Sequence, residues 1–423
     1  MSRDFKVYGN QVLKGEVTIS GAKNATLPII GASLICNGVV TLRNVPNLAD
    51  VKNMFMLIED IGGTVQKLSD GVYKIDARNI KTTELNQELS TKLRASILFL
   101  GGLIARFNNS IVYQPGGCKI GTRPIDLHLV GLEKMGCEVD RGETGCIKIK
   151  SNELNGCEIC LDFPSVGATE NIMTAAVLAK GRTILVNAAQ EPEIEDLANF
   201  LNSMGAKISG AGTNKIIIDV VTELKNETDY TIMSDRIEAG TFLMAAAMNP
   251  ENKVIVRNVN LNHLAPVVSK MENMGVEFKM INNTDVEVVP PKILKPLDVV
   301  QTMPYPGFPT DLQPQMMTLL CKAEGTTVIK ETIFENRLHH VGELKKMGAS
   351  IVTIDNHSAT VKGNNELKGS TLKCFDLRAG ISMIIAAINA NGSSVITDTH
   401  HIRRGYENII EKLESLGVKI EEL

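Results

Sequence analysis

Cys118 lies in a short segment that combines a thiol with cations and glycines. From Gln114 to Pro124 the sequence reads QPGGCKIGTRP, so Lys119 directly follows the cysteine and Arg123 lies a few residues after it. Nearby positive charge lowers the pKa of a thiol, and the thiolate is its reactive form. The glycines allow the backbone to move. The segment therefore predicts a mobile loop whose cysteine donates a proton or acts as a nucleophile, with an inert loop cysteine as the alternative.

The other seven cysteines are predicted to be structural and reduced. Cys157 and Cys160 form a C-x-x-C pattern that, together with Cys137 and Cys146, could suggest zinc. However, Cys157 alternates with Ile159 as in a strand, and no second close pair or histidine follows. We therefore predict no metal site at these cysteines.

A group of cations recurs at the predicted starts of apolar helices or near them. Its members are Lys23, Arg94, Arg123, Arg378 and Arg404. A cation is mildly unfavourable at the positive end of a helix dipole, but a cation and helix N–H groups together bind anions well. A single residue of this kind is usually a solvated charge or part of an ion pair. Their recurrence predicts a site for a small polyanionic ligand.

Six copies of one sequence pattern must position these residues. In each copy an apolar residue precedes a glycine, and a β-prone stretch follows; the glycines are Gly62, Gly136, Gly205, Gly275, Gly348 and Gly417. They are 74, 69, 70, 73 and 69 residues apart, so the chain divides into six units of about 70 residues. Such a glycine is typical of a helix end.

Each unit is predicted to contain two helices of different character. In four copies the helix before the glycine has apolar residues 10, 7 and 3 positions before its last residue, as on one face of a helix. An earlier helix, rich in small apolar residues, is expected to be buried. β-prone stretches such as Thr183–Val186 separate the two. The prediction is an α/β protein of six βαββαβ-like units with small helices inside.

Repeats two and five depart from this helix pattern. Histidine lies seven positions before the last residue of the predicted helix in both repeats, as His128 and His340. Arg337 lies ten positions before that residue in repeat five. A polar residue on a buried stripe is usually a satisfied interior group, yet departures from a repeat are also where function is found. Both interpretations remain open for the two histidines.

The composition limits the classes of function. The chain has 423 residues and a net charge of −4. No stretch reaches the ~18 consecutive apolar residues of a membrane span, and the first residues do not resemble a secretion signal. Slight negative charge and few aromatic residues argue against nucleic-acid binding. We therefore predict a cytoplasmic protein of several domains, without a membrane or nucleic-acid partner, in which the cations form a local exception.

Seven segments resemble the UDP-N-acetylglucosamine 1-carboxyvinyltransferase family, the enolpyruvyl transferases of the first committed step of bacterial peptidoglycan synthesis. They are GAKN (21–24), PGGCKIGTRPIDLH (115–128), SVGAT (165–169), FPTD (308–311), FENR (334–337), DLR (376–378) and HIRRGYE (401–407). The resemblance implies two inside-out α/β barrel domains of three units each, with the active site in the cleft between them. Residues 22–231 would form the N-terminal domain, which carries the Cys118 loop, and residues 1–21 with 232–423 would form the C-terminal domain.

The resemblance also implies the substrates and the role of each site residue, and it implies no metal or organic cofactor. The enolpyruvyl group of phosphoenolpyruvate would move to the 3′-hydroxyl of UDP-N-acetylglucosamine by addition and elimination of phosphate. The catalytic residues would be Cys118, Asp311, Lys23, Asp376 and Arg404. Phosphoenolpyruvate would contact Lys23, Asn24, Arg123 and Arg404. The UDP-sugar would contact Arg94, Arg123, Pro124, Ile125, Asp126, Leu127, Ser165, Val166, Gly167, Asp311 and Ile333. Supporting residues would be Asn336, Arg337, Arg378 and His128.

Within this set, Cys118 would donate a proton to the methylene carbon of phosphoenolpyruvate or form a thioether adduct with it. Asp311 would hydrogen-bond the sugar hydroxyl and act as its base. Fosfomycin alkylates the cysteine of this loop in the family. Two positions depart from the family pattern, because many relatives have lysine in place of Phe163 and an acidic residue in place of Arg403.

Two alternative functions remain. The sister enolpyruvyl transferase, which acts on shikimate 3-phosphate, shares the six-unit fold, but the inserted cysteine loop argues against it. A catalytically weak duplicate that binds the UDP-sugar and regulates flux is the other. The presence of Lys23, Cys118, Asp311 and Arg404 argues against that alternative.

Overall fold

The chain forms two compact units in the computed structural model, which describes residues 4–114, 116, 121, 124–142 and 145–423. The C-terminal unit contains residues 4–20, 121 and 234–423. The N-terminal unit contains the other described residues, which lie between 21 and 233. Each unit has its own hydrophobic core.

The chain begins with two strands of the C-terminal unit, β1 (Phe5–Val7) and β2 (Lys14–Thr18). The strands of the N-terminal unit are β3 (Val39–Arg43), β4 (Thr64–Ser69), β5 (Val72–Asp76), β6 (Asn109–Tyr113), β7 (Glu138–Arg141), β8 (Cys146–Lys150), β9 (Glu158–Cys160), β10 (Thr183–Val186), β11 (Lys207–Ser209), β12 (Lys215–Asp219) and β13 (Glu227–Thr231). Its helices are α1 (Lys23–Ala32), α2 (Ala49–Asp60), α3 (Gln87–Lys92), α4 (Phe99–Phe107), α5 (Asp126–Lys134), α6 (Val166–Ala176) and α7 (Pro192–Ser203).

The C-terminal unit continues with ten strands and six helices. The strands are β14 (Lys253–Arg257), β15 (Glu277–Met280), β16 (Val286–Val289), β17 (Val299–Gln301), β18 (Thr326–Lys330), β19 (Ser350–Thr353), β20 (Ser358–Lys362), β21 (Thr371–Lys373), β22 (Ser394–Thr397) and β23 (Ile420–Glu422). The helices are α8 (Arg236–Ala247), α9 (Ala265–Asn273), α10 (Gln313–Leu320), α11 (Val341–Lys346), α12 (Leu377–Ile388) and α13 (Ile409–Ser415).

The six-unit repeat and its α/β character are confirmed, but the predicted order of elements within a unit is wrong. A complete unit runs β9, α6, β10, α7, β11, β12, and its sheet has the order β11-β12-β10-β9. Both helices therefore precede the hairpin, so the order is βαβαββ and not βαββαβ. The reason is local: two glycines with positive φ, Gly210 and Gly212, turn the chain straight back from β11 into β12.

Small helices lie inside each unit, as predicted. Helices α1, α4 and α6 contact one another in the N-terminal unit, and α8, α10 and α12 do so in the C-terminal unit. Glycine permits this close packing, because a Cβ at Gly101 would lie 2.6 Å from the carbonyl oxygen of Asn171 on the next inner helix. Helices α2, α5 and α7 are the second helices of the N-terminal repeats, and α9, α11 and α13 are those of the C-terminal repeats.

The helix of repeat five is shorter than the sequence pattern suggests. It begins at Val341, so Arg337 and His340 lie in the preceding turns and not on a helix stripe. Both side chains are nevertheless buried. Nη2 of Arg337 donates to Asp311 at 2.9 Å, and Nδ1 of His340 lies 3.2 Å from the carbonyl oxygen of Arg337.

Strand pairing determines which unit each end of the chain completes. Strand β2 pairs in parallel with β14, although the chain continues from β2 into α1 of the other unit. Strand β13 pairs in parallel with β3, and the chain then continues into α8. Strand β1 lies between β22 and β23. Among the described residues, no helix has both the length and the apolar character of a transmembrane span.

Candidate active site

Lys23 is the first residue of α1 and is almost completely buried. Its Nζ lies 2.7 Å from Oδ2 of Asp50, a buried residue in the first turn of α2. Ala22 provides no side-chain cap for α1, so backbone N–H groups and a buried cation come together at this helix start. That combination favours an anionic ligand. Asn24, the next residue, is partly exposed.

His128 on α5 is held by a buried hydrogen-bond network. Its Nδ1 lies 2.7 Å from Nδ2 of Asn171, whose amide also donates to the carbonyl of Ile97 at 3.0 Å. The backbone N–H of Gly101 donates to Oδ1 of Asn171 at 2.9 Å, which fixes the orientation of the amide. Because Nδ1 accepts a hydrogen bond from Asn171, the ring carries its proton on Nε2.

Burial, with a further contribution from the charge of Arg94, lowers the pKa of His128 to about 3. The ring is therefore neutral near pH 7. Arg94 opens a 3₁₀ turn, Arg94–Leu98, that leads into α4, and it is partly exposed. Arg94, one of the predicted anion-binding cations, therefore lies close enough to His128 for its charge to act on the ring.

The start of α6 faces the same ring. Ser165 caps the helix by accepting a 3.4 Å hydrogen bond from the N–H of Ala168. A Cβ at Gly167 would lie 3.0 Å from Cε1 of His128, so the ring lies directly against this turn. The structure therefore brings together the neutral histidine and the predicted UDP-sugar residues Ser165, Val166 and Gly167. A helix start of this type is suited to binding phosphate groups.

The segment before α5 contributes mainly backbone and apolar surface. Ile125 and Leu127 pack partly against the core of the N-terminal unit. Asp126 forms an exposed ion pair with Arg141, with Nη1 and Oδ1 2.8 Å apart. Pro124 precedes the helix and is exposed. Of these predicted UDP-sugar contacts, Asp126 is already engaged through one oxygen.

Asp311 is the centre of a charged cluster in the C-terminal unit. It lies in the 3₁₀ turn Thr310–Leu312 before α10. Nη2 of Arg337 donates to one carboxylate oxygen at 2.9 Å, and Nε of Arg378 donates to the other at 3.0 Å. Both guanidinium side chains are buried, whereas the Asp311 side chain retains 28% exposure. The two cations favour an ionised carboxylate that a ligand can still reach.

Asp376 and Arg378 belong to the start of α12. Oδ1 of Asp376 caps the helix, accepting from the N–H groups of Arg378 and Ala379 at 2.9 and 3.1 Å. The guanidinium of Arg378 also lies 5.3 Å from the centre of the Tyr406 ring. The Tyr406 hydroxyl in turn meets Thr241 on α8 at 2.9 Å. This buried network fixes Arg378, and through it Asp311, against the inner helices.

Arg404 ends the 3₁₀ turn Thr399–Arg404 and is partly exposed. Ile333 follows β18 and Asn336 lies in an exposed turn, so both are at the surface or near it. Cys118 and Arg123 lie outside the described residues. Their predicted roles therefore stay predictions.

The seven described cysteines are all free thiols. Burial raises the pKa of Cys137 to about 12, with a smaller contribution from Glu133, and burial raises that of Cys321 to about 12. Burial also raises the pKa of Cys36 and Cys157. Only Cys160 is exposed among the described cysteines. The buried thiols are thus poor nucleophiles near neutral pH.

Comparison with known proteins identifies the family. The family model described as EPSP synthase (3-phosphoshikimate 1-carboxyvinyltransferase) matches residues 7–413. UDP-N-acetylglucosamine 1-carboxyvinyltransferase 2 of Clostridium tetani is 50% identical over 416 residues, covering 98% of each chain. The enzyme of that name from Caldanaerobacter subterraneus subsp. tengcongensis is 46% identical over 416 residues, again covering 98% of each chain.

The chain belongs to the UDP-N-acetylglucosamine 1-carboxyvinyltransferase family. The family predicted from the sequence motifs is thereby confirmed. Solved structures confirm the fold. The enolpyruvyl transferase NikO from Streptomyces tendae has a TM-score of 0.91 at 23% identity, covering 100% of this chain and 99% of its own. EPSP synthase from Acinetobacter baumannii has a TM-score of 0.79 at 20% identity over 100% of both chains.

The structure explains one of the two departures from the UDP-N-acetylglucosamine 1-carboxyvinyltransferase pattern. Arg403 forms an ion pair with Glu422 on β23, and its guanidinium lies 5.6 Å from the centre of the Phe5 ring. Its charge is therefore directed toward the β1–β23 edge and partly neutralised there. Phe163 is exposed and lies two residues before the cap of α6, where it supplies no charge for a diphosphate.

Two residues that hold predicted site residues in place were not predicted from the sequence. Asp50 pairs with Lys23, and Asn171 fixes the tautomer of His128. Asp50 had one available indication, since it is an acidic residue in the first turn of a predicted helix. No such indication was available for Asn171, because the sequence does not distinguish it from other polar residues on a predicted inner helix.

Proposed function

We propose that this protein transfers the enolpyruvyl group of phosphoenolpyruvate to the 3′-hydroxyl of UDP-N-acetylglucosamine and releases phosphate. The observation that carries the proposal is the 45–50% identity to enzymes of that name over nearly the whole chain. The charged cluster around Asp311 and the Lys23–Asp50 pair at the start of α1 support it, since both could serve anionic substrates. The reaction belongs to peptidoglycan synthesis, and we propose that it takes place in the cytoplasm.

The first step is an addition. The oxygen of the 3′-hydroxyl bonds to C2 of phosphoenolpyruvate while Asp311 takes the hydroxyl proton, and Cys118 gives a proton to C3. The product is a tetrahedral adduct that still carries the phosphate. Asp311 is suited to the first transfer because it is an accessible carboxylate held in place by two buried guanidinium groups.

The second step is an elimination. Cys118, now a thiolate, takes a proton back from C3 while the C2–O bond to phosphate breaks, which restores the double bond. The proton that Asp311 took passes to the departing phosphate. Lys23, Arg123 and Arg404 would neutralise the leaving group, and the N–H groups at the start of α1 would add to that field. The residues proposed to bind the substrates are divided over both units, so both units would be needed for one turnover.

The UDP part would bind at the start of α6. Ser165, Val166 and Gly167 supply the first turn of that helix, and Arg94 and His128 lie beside it. His128 would offer its Nε2–H as a neutral hydrogen-bond donor. A neutral ring is expected here because the ring is buried, with a further contribution from the positive charge of Arg94.

A phosphate-release assay tests the function. With phosphoenolpyruvate plus UDP-N-acetylglucosamine we expect release, and with phosphoenolpyruvate plus shikimate 3-phosphate we expect none. Release with only the second acceptor would show the sister activity. Binding of the UDP-sugar by calorimetry without release with either acceptor would instead show a regulatory duplicate.

Fosfomycin labelling tests the assignment of Cys118. Intact-protein mass spectrometry should show a single adduct in the wild type and none in Cys118→Ser. Cys160 is the exposed thiol among the described cysteines, so Cys160→Ser is the matched control and should still be labelled once. An adduct that disappears in Cys160→Ser but persists in Cys118→Ser would overturn the assignment.

A further inference from the structure

Glu331 is a fully buried carboxylate that accepts hydrogen bonds from three separate segments. The hydroxyls of Thr302 and Thr310 donate to its two oxygens, each at 2.9 Å. The backbone N–H groups of Ile333 and Phe334 donate to Oε1 at 2.9 and 3.2 Å. Four donors thus converge on one side chain immediately after β18.

The backbone of Glu331 is held as firmly as its side chain. Its N–H donates to the carbonyl of His357 at 2.7 Å, and its own carbonyl lies 3.0 Å from Nδ1 of the same histidine. Within the described part of the chain, Glu331 takes part in no ion pair, so hydrogen bonds alone replace its hydration. Burying a carboxylate in this way costs free energy.

The segment that begins at Glu331 returns to the charged cluster at Asp311. At one end, Thr310 bonds to Glu331; at the other, Arg337 donates to Asp311 at 2.9 Å. Two hydrogen bonds therefore join residues 331–337 to residues 310–311. Displacement of Glu331 would shift both Asp311 and its guanidinium partner, and would also shift Ile333, whose N–H it holds.

We propose that Glu331 is a positioning residue for the acceptor sugar, acting through Thr310 on Asp311 and through the 333–334 backbone on Ile333. This role rests on the proposed function, in which Asp311 and Ile333 contact UDP-N-acetylglucosamine. Glu331 itself touches no substrate. It sets the distance between the base and the sugar, and errors of about 1 Å in such a distance cost roughly 100-fold in rate.

Glu343 provides a matched control in the same unit. It is also a buried carboxylate, and it accepts from the N–H of Lys373 at 2.9 Å and from the ammonium of Lys346 at 2.8 Å. It lies on α11 and none of these bonds involves the segments that carry Asp311 or Ile333. A loss of stability alone should therefore appear in both alanine variants, whereas loss of positioning should appear only at Glu331.

The test measures steady-state phosphate release for Glu331→Ala, Glu331→Gln, Thr310→Val and Glu343→Ala. Glu331→Ala is expected to lower kcat/KM for UDP-N-acetylglucosamine by about 10- to 100-fold. KM for phosphoenolpyruvate should change much less, because Lys23 and Asn24 belong to the other unit. Glu331→Gln keeps an oxygen that can accept and should restore much of the loss. The double variant Thr310→Val with Glu331→Ala should be no worse than Glu331→Ala alone, since Glu331→Ala already removes the bond through which Thr310→Val acts.

The possible outcomes distinguish failure of the positioning role of Glu331 from failure of the proposed function. A wild-type protein that releases no phosphate overturns the proposed function and, with it, this role. An active wild type in which Glu331→Ala and Glu343→Ala give the same kcat/KM for the UDP-sugar overturns the role alone. If Glu331→Ala does not fold, Thr310→Val decides: an unchanged kcat/KM for the UDP-sugar in that variant also overturns the role.

Discussion

Two histidines are buried deeply enough to make the stability of the protein depend on pH. The pKa of His128 is lowered to about 3 and that of His340 to about 4, mainly by burial. An unfolded histidine titrates near 6.5. Below that pH the unfolded chain binds protons that the folded chain refuses, so the free energy of unfolding falls as the pH drops from about 6.5 toward the folded values.

The effect of His128 can be isolated with His128→Asn, which keeps an oxygen able to accept from Asn171. At pH 5 the wild type should lose roughly 2 kcal/mol relative to pH 7.5 that the variant does not lose. Urea unfolding at both pH values measures this difference. The comparison between variants is needed because burial raises the pKa of Asp196 to about 6, which acts in the opposite direction. An equal pH dependence in both proteins would contradict a neutral buried ring.

At the residue scale, the sequence indicated chemistry better than contacts. Lys23 and Arg378 were predicted from their type and place in the repeat, and Asp311 was predicted from the family resemblance. The structure puts each at the start of an inner helix or in the turn before it. Their partners were not predictable. Asp50 and Glu331 act through contacts between distant segments, and nothing in a single repeat specifies such contacts.

At the scale of the element, the glycine after each second helix is required by backbone conformation. Gly417 has φ of +82°, and a Cβ at that position would meet nothing within 4 Å. Gly417→Ala should therefore destabilise the protein by about 1–2 kcal/mol through left-handed strain alone. Gly342 lies inside α11 with equally open space and no positive φ. Gly342→Ala should be neutral or stabilise by up to about 1 kcal/mol.

Thermal unfolding of the two alanine variants checks this pair. Equal destabilisation in the two variants would contradict a cost that arises from the positive φ of Gly417. The repeat was predictable from the sequence because a glycine at a helix end is a local requirement that recurs with the unit. The βαβαββ order was not, because two short β-prone runs beside a turn can be assigned to either side of a helix.

At the scale of the molecule, the pairing of the first strands could not be predicted from patterns in the chain. β1 inserts between β22 and β23, so the last sheet of the C-terminal unit is completed by residues from the opposite end of the sequence. A three-residue strand carries too little pattern to specify such partners. The family resemblance supplied that expectation, whereas composition and spacing did not.

Because of this pairing, a substitution at Phe5 can test whether the two units unfold independently. Phe5 is fully buried in the core of the C-terminal unit, opposite Ile396 on β22. Phe5→Ala should cost about 3–5 kcal/mol, because it removes a large buried ring. Hydrogen exchange followed by mass spectrometry should show faster exchange in β21, β22 and β23, while the sheets of the N-terminal unit stay protected. Phe99, which is equally buried in the other core, provides the matched control, and Phe99→Ala should reverse the distribution. Faster exchange spread evenly over both units in either variant would show that the two cores unfold as one cooperative structure.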